Sequence, residues 1–248
     1  MKQWVTAFLL CICLGACSYI DVLTKDGVEI TREIPVENFN AIEVMAALDI
    51  HLIPDDTFKC IVKGADFLLK DFFINQDGKK LILDHHNSFF LREEQLLEVS
   101  LHAPEINLVT LNAAIHLTNA DTIKNKRFHL VVNSRGAFSE SNLLLDCQQV
   151  GISVYGENVG HHFFKGQAGS LQVNLEGLVD FNGTALLADQ VGVNHKSLSN
   201  CYVFSQGTLT ANMYSSGNVY YKGNPEVTVT RHDRGWGIKL GDVIPWEK

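Results

Sequence analysis

Glu157 and Glu176 are the residues whose spacing could support catalysis. They share a column of a repeat of about 20 residues that runs through the second half of the chain. On adjacent coils of a solenoid, two carboxylates would approach the separation of about 5–5.5 Å that retaining glycosidases use. Arg135 and Lys196 fall in the same column, and this pattern is typical of a solvated charge ladder. We therefore predict a charge ladder and no catalytic residues, with a polysaccharide-active β-helix enzyme as the alternative.

The ten histidines predict no metal site. His85-His86 and His161-His162 are adjacent pairs, whose side chains would point to opposite faces of a strand. No H-x-H or H-E-x-x-H spacing occurs, and the other histidines fall in different columns of the repeat. The sequence also contains no G-x-S-x-G elbow, P-loop or dinucleotide fingerprint, so no cofactor is expected.

Three cysteines, Cys11, Cys13 and Cys17, lie within seven residues of each other. Lys2 precedes an uncharged apolar run over residues 4–14, which is the layout of a signal peptide. The run is well short of the roughly 20 residues that a membrane-spanning helix needs. Cys11 and Cys13 are therefore predicted to be apolar positions of a discarded export signal, not metal ligands.

The segment Leu14-Gly15-Ala16-Cys17 resembles the lipobox of bacterial lipoproteins. The resemblance implies cleavage between Ala16 and Cys17 and acylation of Cys17, with ordinary secretory cleavage as the alternative. Two or more acyl chains suffice for stable anchoring. The expected organisation is a signal peptide over residues 1–16 and a lipidated tether over 17–31, anchored in the outer membrane with its face undetermined.

The other cysteines are Cys60, Cys147 and Cys201, which have no C-x-x-C spacing. An odd number without that spacing indicates neither a disulfide framework nor a zinc site. Buried free thiols are the favoured interpretation, and a Cys147–Cys201 bond stays open. The formal net charge of −8 removes the electrostatic basis for nucleic-acid binding.

Residues 32–104 alternate between apolar and other side chains with a period of two, which predicts half-buried strands. Only the stretch Asp66 to Phe73 could form a helical turn. The alternating apolar positions are Ile42 and Val44, Ile50 and Leu52, Leu81 and Leu83, and Leu97, Val99 and Leu101.

Residues 105–230 contain the repeat, in six segments that start 19 to 22 residues apart. The segments are LVTLNAA (108–114), LVVNSRG (130–136), ISVYGEN (152–158), LQVNLEG (171–177), VGVNHKS (191–197) and ANMYSSG (211–217). Their first and third positions are mostly apolar and predicted to face inward, and the last is a turn residue. Asn133, Asn174 and Asn194 share a column, where stacked amides would form a ladder. This pattern predicts an all-β solenoid of about 20-residue coils, with a twisted sandwich as the alternative and a tail at 241–248.

Several motifs carry a resemblance to a known family. Val36-Glu37-Asn38-Phe39-Asn40-Ala41-Ile42, Lys63-Gly64-Ala65-Asp66 and Val99-Ser100-Leu101-His102-Ala103-Pro104 precede a closing motif over residues 215–225, SSGNVYYKGNP. In this order they resemble the head-GIN-domain family of putative auto-transporter adhesins. The resemblance covers about residues 32–240 and implies a right-handed parallel β-helix in a bacterial envelope lipoprotein. The Gly-Ser-Gly turns of the family are replaced here by Asn112-Ala113-Ala114, Glu157-Asn158 and Lys196-Ser197.

The expected function is binding without catalysis. Tyr155, Tyr214, Tyr220 and Tyr221 are candidates for a binding face on the solenoid. The expected partners are the membrane, through the lipid, and a glycan, an envelope protein or further copies of the chain.

Overall fold

The computed structural model describes residues 27–86, 96–133, 137–232, 235, 237 and 239–246. The predicted signal peptide and Cys17 lie outside the described residues, as do Arg135, Gly136 and Trp236.

The described chain is almost entirely β-strand. Its first part comprises β1 (Glu29–Ile34), β2 (Ala41–Val44), β3 (Leu48–Pro54), β4 (Lys59–Ala65), α1 (Asp66–Asp71), β5 (Phe72–Asp77), β6 (Lys80–His85) and β7 (Leu97–Ala103). Its second part comprises β8 (Leu108–Leu111), β9 (Ile115–Asn119), β10 (Ile123–Val132), β11 (Phe138–Val154), β12 (Val159–Ser197), β13 (Cys201–Met213), β14 (Val219–Lys222), β15 (Glu226–Arg231) and β16 (Val243–Pro245). Within the described residues the one helix, α1, lies in the stretch Asp66 to Phe73, where the sequence indicated that a helical turn could form.

The strands wind into a solenoid. Strand β12 has 39 residues, and a straight strand of that length would extend about 130 Å. It instead bends around the core, and the side chains of Asn174 and Asn194 on successive coils are hydrogen bonded. Its neighbours β11 and β13 both run parallel to it. The predicted β-solenoid is therefore confirmed.

The predicted repeat matches the coil pairing in part. The segments at 130 and 152 and those at 171 and 191 are in the predicted register, whereas those at 152 and 171 and those at 191 and 211 pair two residues away from it. Strand β11 pairs with β12 at a constant offset of 21 residues, from Phe138 beside Val159 to Ser153 beside Asn174. The offset between β13 and β15 is 18, with Thr208 beside Glu226. The inward columns are correct for the later five segments, whose first and third residues are all buried.

The first repeat segment is displaced by one residue from its prediction. Leu130 lies beside Val109, not Leu108. Val109 and Leu111 are completely buried, whereas Leu108 and Thr110 are half-exposed. Because side chains alternate along a strand, this shift of one residue exchanges the inward and outward sets.

Four of the strands before residue 105 are themselves parts of coils, stacked out of sequence order. Strand β2 lies between β6 and β8, and β3 lies between β7 and β9, all in parallel. The coil formed by β6 and β7 therefore lies on one side of the coil formed by β2 and β3. The chain then crosses over, so that β8 and β9 lie on the opposite side. The alternating pattern correctly predicted strands in this region, and β2, β3, β6 and β7 are coils of the same solenoid.

Antiparallel strands cover the N-terminal end. β4 pairs with β7 and β1 pairs with β4, while β5 pairs with β6. Helix α1 connects β4 to β5 and buries Leu68 and Leu69. Strand β1 begins at Glu29, so regular structure starts before the boundary predicted at residue 32.

Aromatic side chains fill the centre of the solenoid. Phe164 packs edge-on against Phe128 and Phe181, with ring centroids 6.4 and 5.3 Å away. All three are completely buried. Such packing adds roughly 0.5–1.5 kcal/mol per pair to the burial of the rings.

The three described cysteines are free buried thiols: Cys60, Cys147 and Cys201. Burial raises the pKa of Cys60 to about 12, and it raises the pKa of Cys147 and Cys201 as well. The open question of a Cys147–Cys201 bond is thereby answered in favour of thiols that behave as small apolar side chains.

The C-terminal residues are part of the solenoid. Strand β16 pairs in parallel with β14, with Val243 beside Val219. Arg231 on β15 donates to Asp242 at 2.9 Å. The described part of the predicted tail, residues 241–246, therefore includes the last strand, β16.

Candidate functional site

The two glutamates proposed as an alternative catalytic pair have different surroundings. Glu176 accepts hydrogen bonds from the backbone N–H of Gly156 and from Lys196 Nζ, each at 2.9 Å. The Gly156 N–H and then Lys196 lower the pKa of Glu176. Because both contacts favour the ionised form, this carboxylate is poorly suited to act as a general acid. Glu157 is exposed in the turn beside Gly156.

The predicted charge ladder is present in part. Lys196 and Glu176 form the expected pair between adjacent coils. The Lys196 ammonium also lies 5.8 Å from the centre of the Tyr214 ring. Arg135, the other predicted cation, lies outside the described residues.

The four predicted tyrosines do not form one face. Tyr214 stacks on His232, with ring centroids 4.2 Å apart, and Tyr155 is 51% exposed. Tyr220 stacks instead on Tyr202, with centroids 5.0 Å apart. Tyr221, the next residue along β14, packs against the hydrophobic core. The prediction of a single aromatic face is wrong because adjacent strand residues point to opposite sides.

Tyr220 belongs to a small aromatic group near the C-terminal end. Trp246 lies against Tyr202, with centroids 5.2 Å apart and planes 57° apart. Lys222 Nζ lies 4.8 Å from the Trp246 ring centre, within cation–π range. Because Tyr202 and Tyr220 stack face to face, these two rings cover much of each other's flat surface.

A second feature is a row of hydrogen-bonded polar side chains, one hydroxyl and three amides, that we call the amide ladder: Ser153, Asn174, Asn194 and Asn212. Asn174 donates to Ser153 Oγ at 3.1 Å, Asn194 donates to Asn174 Oδ1 at 2.7 Å, and Asn212 donates to Asn194 Oδ1 at 2.9 Å. The predicted ladder of Asn174 and Asn194 is therefore real. Asn133, its third predicted member, is two residues out of step, since Val131 is the residue beside Ser153.

Histidines flank the amide ladder. His129 Nε2 lies 3.0 Å from Ser153 Oγ at one end, and His232 Nε2 lies 3.4 Å from Asn212 Oδ1 at the other. The ladder thus links side chains from several successive coils. Each amide uses one of its two N–H groups in the ladder, which leaves the second available to water or a ligand.

A shallow groove of about 350 Å³ runs beside the amide ladder, and every side chain that lines it is uncharged. The lining residues are Ser170, Leu171, Gln172, Gln190, Val191, Gly192, Val193, Asn194, Thr208, Thr210 and Asn212. The exposed part consists of amides and hydroxyls, because Leu171, Val191 and Val193 point into the core. On a chain of net charge −8, this is a neutral surface rich in donors and acceptors.

Gly192 provides space in the groove. A Cβ atom at this position would lie 2.3 Å from Gln172 Oε1. Gln172 can therefore lie across Gly192 and donate to Asn174 Oδ1 at 3.3 Å. A side chain at residue 192 would displace this amide and alter the groove floor.

A third feature is a line of charged and imidazole side chains on a different stack of strands, which we call the carboxylate–imidazole row: Glu98, Asp49, His116, Glu140 and His161. Each is paired with the next across neighbouring parallel strands. His161 continues the row by contacting Asp180 at 3.2 Å. Among the histidines outside the two adjacent pairs, only His116 belongs to this row. Its place depends on the positions of β3 and β9, which the repeat pattern did not include.

The adjacent histidine pairs point in opposite directions, as expected. His161 is 45% exposed in the row, whereas His162 is completely buried and its Nδ1 lies 2.9 Å from Ser141 Oγ. Burial lowers the pKa of His162 to about 3 and that of His195 to about 4. These two imidazoles are structural groups behind the surface.

The amide ladder had a partial signal in the sequence, in the shared column of Asn174 and Asn194. The carboxylate–imidazole row had none in the repeat alignment, since it combines residues from β3, β7, β9, β11 and β12. Within the described residues, no helix is long and apolar enough to cross a membrane.

The fold defines the class: a β-solenoid whose outer surface carries ordered polar rows. The chain belongs to the family described as "Putative auto-transporter adhesin, head GIN domain", which matches residues 38–225. This confirms the family resemblance found in the sequence and supports a cell-envelope or surface protein. No curated protein sequence matches the chain.

Solved structures share the fold at low sequence identity. A "putative adhesin" from Bacteroides fragilis has a TM-score of 0.76 and 15% identity, covering 88% of this chain and 97% of that chain. A "putative adhesin" from Parabacteroides distasonis has a TM-score of 0.67 and 18% identity, covering 89% and 98%. A "putative lipid binding protein" from the same species has a TM-score of 0.68 and 15% identity, covering 90% and 98%.

Proposed function

We propose that this protein is a non-catalytic cell-envelope lipoprotein that adheres to extended neutral glycans through the groove beside the amide ladder. The observation that supports this proposal most directly is the uncharged lining of that groove on a chain of net charge −8. An anionic ligand would be repelled by the chain as a whole, and a cationic one would find no carboxylate in the groove lining.

The chemistry of the groove suits sugar hydroxyls. Each hydroxyl is both a donor and an acceptor, and the groove offers amides and threonine hydroxyls that are both as well. Adjacent coils repeat these groups about every 4.8 Å. An extended β-linked chain of pyranose rings advances by a similar length per sugar. Successive sugars can therefore meet equivalent groups on successive coils.

Binding can be tested with two exposed groove residues, Gln190 and Thr210, that are not members of the amide ladder. The purified chain is passed over immobilised neutral β-glucans and mannans and over anionic polygalacturonate. We expect retention on at least one neutral glycan and a loss of at least about tenfold in affinity for Gln190→Ala combined with Thr210→Ala, because each lost pair of hydrogen bonds contributes about 1 kcal/mol.

The matched control is Lys222→Ala, which alters the aromatic group near Trp246 and should leave this affinity unchanged. Retention on polygalacturonate alone, or equal loss in the control, would contradict the assignment of the groove.

The anchoring part of the proposal rests on the lipobox resemblance at Cys17. We expect Cys17→Ser to leave an unprocessed precursor that incorporates no labelled fatty acid, because the thiol is the acyl acceptor. Cys13→Ser is the control, since that residue would be discarded with the signal peptide. Fatty-acid labelling of the Cys17→Ser chain would refute lipidation at this residue. Protease treatment of intact cells then tells whether the protein faces the exterior or the periplasm.

The competing enzyme hypothesis uses Glu157 and Glu176. Glu176 is held by Lys196 and the Gly156 N–H, and membership of an adhesin family favours binding. Release of reducing ends from the same glycans provides the test. Hydrolysis by the wild-type chain that disappears in Glu176→Gln would replace the adhesion proposal with catalysis.

A further inference from the structure

Asp49, His51 and His116 come together on the outer surface of β3 and β9. Asp49 lies beside His116 across the two parallel strands. His51 is two residues further along β3, so it projects from the same face as Asp49. The three side chains are 28%, 36% and 48% exposed, respectively, and are therefore accessible from solvent.

Two imidazoles approach a single carboxylate oxygen. His116 Nδ1 lies 3.1 Å from Asp49 Oδ1, and His51 Nε2 lies 3.7 Å from the same oxygen. Tetrahedral zinc holds nitrogen and oxygen ligands at about 2.0–2.2 Å, which places pairs of ligand atoms about 3.3–3.6 Å apart. The two observed separations lie on either side of that range.

Thr118 orients His51 towards this point. His51 Nδ1 lies 2.7 Å from Thr118 Oγ1, and the Thr118 hydroxyl donates to the Ile50 carbonyl at 3.5 Å. A His51 tautomer with its proton on Nδ1 can donate to Thr118 Oγ1, and its Nε2 lone pair is then available on the side of Asp49. A metal-binding histidine is commonly held in this way through its other ring nitrogen.

Other histidine–carboxylate contacts in the described chain are simpler. His102 contacts Asp55 at 3.0 Å, and His161 contacts Asp180 at 3.2 Å. In each contact one imidazole meets one carboxylate, as in an ordinary surface pair. Asp49 differs because two imidazoles from adjacent strands meet the same oxygen atom.

The site requires a small adjustment before it can bind an ion. Among the residues that the structure describes, no three such side chains already surround a common centre. Binding therefore requires that the exposed His116 side chain changes its rotamer, so that its imidazole and that of His51 contact the same ion as Asp49. Glu140, which lies beside His116 on β11, or a water molecule can supply a fourth ligand.

We propose that Asp49, His51 and His116 bind a divalent transition-metal ion, with Zn²⁺ as the best match to two imidazoles and a carboxylate. Such a site is independent of the glycan groove, because no residue of one contributes to the other. The bound ion would connect adjacent coils near the N-terminal end of the carboxylate–imidazole row.

The test is calorimetric titration of the metal-free purified chain with Zn²⁺ alone at pH 7.5. The expected result is a saturable site with one ion per chain, lost or weakened at least about tenfold in His51→Ala and in His116→Ala. Thr118→Val keeps the three ligands and removes the group that positions His51, so it should weaken binding by about 10-fold.

The matched control is His161→Ala, which removes an exposed imidazole from the same row and should bind Zn²⁺ as the wild-type chain does. Circular dichroism confirms that each variant is folded. The absence of saturable binding in the wild-type chain would overturn the proposal. So would unchanged binding in both folded ligand variants, or an equal loss in His161→Ala.

Discussion

The amide ladder and the carboxylate–imidazole row are both built on stacked parallel strands, but they place different kinds of side chains next to each other. The ladder stacks like groups, and Asn194 both donates to Asn174 and accepts from Asn212. The row places like groups together only at Glu98 and Asp49, and neighbouring carboxylates repel each other. Over most of its length, imidazoles separate the acids, with His116 between Asp49 and Glu140.

This difference determines what each surface can bind. A neutral amide retains spare hydrogen-bonding groups after the ladder is complete, so it suits neutral polar ligands. A carboxylate between imidazoles offers lone pairs and negative charge, so it suits protons and metal ions. A solenoid can thus present two kinds of chemistry on separate strand stacks, because each outward column is independent of the shared core.

The largest effect is expected from the core that supports both surfaces. Phe164→Ala should lower the free energy of unfolding by about 3–5 kcal/mol, because it leaves a cavity between Phe128 and Phe181. Urea denaturation measures the change. Phe163→Ala is the control, since that ring is 41% exposed and its removal should have a much smaller effect. Equal losses of unfolding free energy in the two variants would show that the packing of Phe164 against Phe128 and Phe181 has no special role in stability.

Acid should destabilise the regions behind both surfaces. His162 and His195 have pKa values of about 3 and about 4 in the folded chain, below the value of 6.5 of an ordinary histidine. The unfolded state therefore binds more protons, and stability is lost as the pH falls below 6.5. Each histidine contributes a slope of about 1.4 kcal/mol per pH unit. His85 and His129 have lowered pKa values and act in the same direction.

Urea midpoints between pH 7.5 and 5 measure this slope above the range in which most carboxylates titrate. His195→Gln should reduce the slope behind the amide ladder, and His162→Gln should reduce it behind the carboxylate–imidazole row. His161→Gln, an exposed neighbour, is the control. A stability that does not change with pH over this range would contradict the buried neutral state of these histidines.

A charge introduced into the amide ladder should be less damaging than either of these changes, but still measurable. Asn194→Asp removes the donor to Asn174 Oδ1 and places a carboxylate against that carbonyl. We expect a loss of about 1–3 kcal/mol in unfolding free energy, the range for a buried polar group left without its partner.

The control is Asn182→Asp, because Asn182 Oδ1 accepts from the backbone N–H and hydroxyl of Thr184 and a carboxylate can do the same. If the two substitutions have equal effects, the ladder has no special sensitivity to charge.

The smallest effect is expected for the exposed pair of Lys196 and Glu176, whose side chains are 45% and 31% exposed. Lys196→Ala should change the unfolding free energy by less than about 1 kcal/mol, and the change should shrink at high salt. Urea midpoints at about 0.05 M and about 1 M NaCl, an increase of about 20-fold in ionic strength, provide the comparison. A larger and salt-independent loss would indicate that packing of Lys196 against Tyr214 dominates.

Much of the coil architecture was predictable from local patterns. Alternation of apolar residues identified Ile50 and Leu52 as core residues, and both are completely buried. The repeat brought Asn174 and Asn194 into one column, and they are hydrogen bonded. These predictions succeeded because a solenoid repeats the same local environment, so each coil contains the signal for its own orientation.

The failures occurred where coils differ in length or depart from sequence order. The first repeat segment at Leu108 and the amide column at Asn133 are displaced from the predicted register. Both displacements arise because no local signal in the sequence fixes the residue at which a strand begins after a turn. The place of His116 in the carboxylate–imidazole row had no signal in the repeat, because Glu140 joins it to His161 through two strand pairings distant in sequence.

The sequence by itself determined that this chain forms a β-solenoid and which side of most strands faces inward. Those properties follow from periodicity and residue type, which act over a few residues. Only the tertiary structure decided that β2 lies between β6 and β8, that Cys147 and Cys201 are unbonded, and that two histidines meet Asp49. Those properties depend on which coils become neighbours, and that choice is made by packing of the whole core.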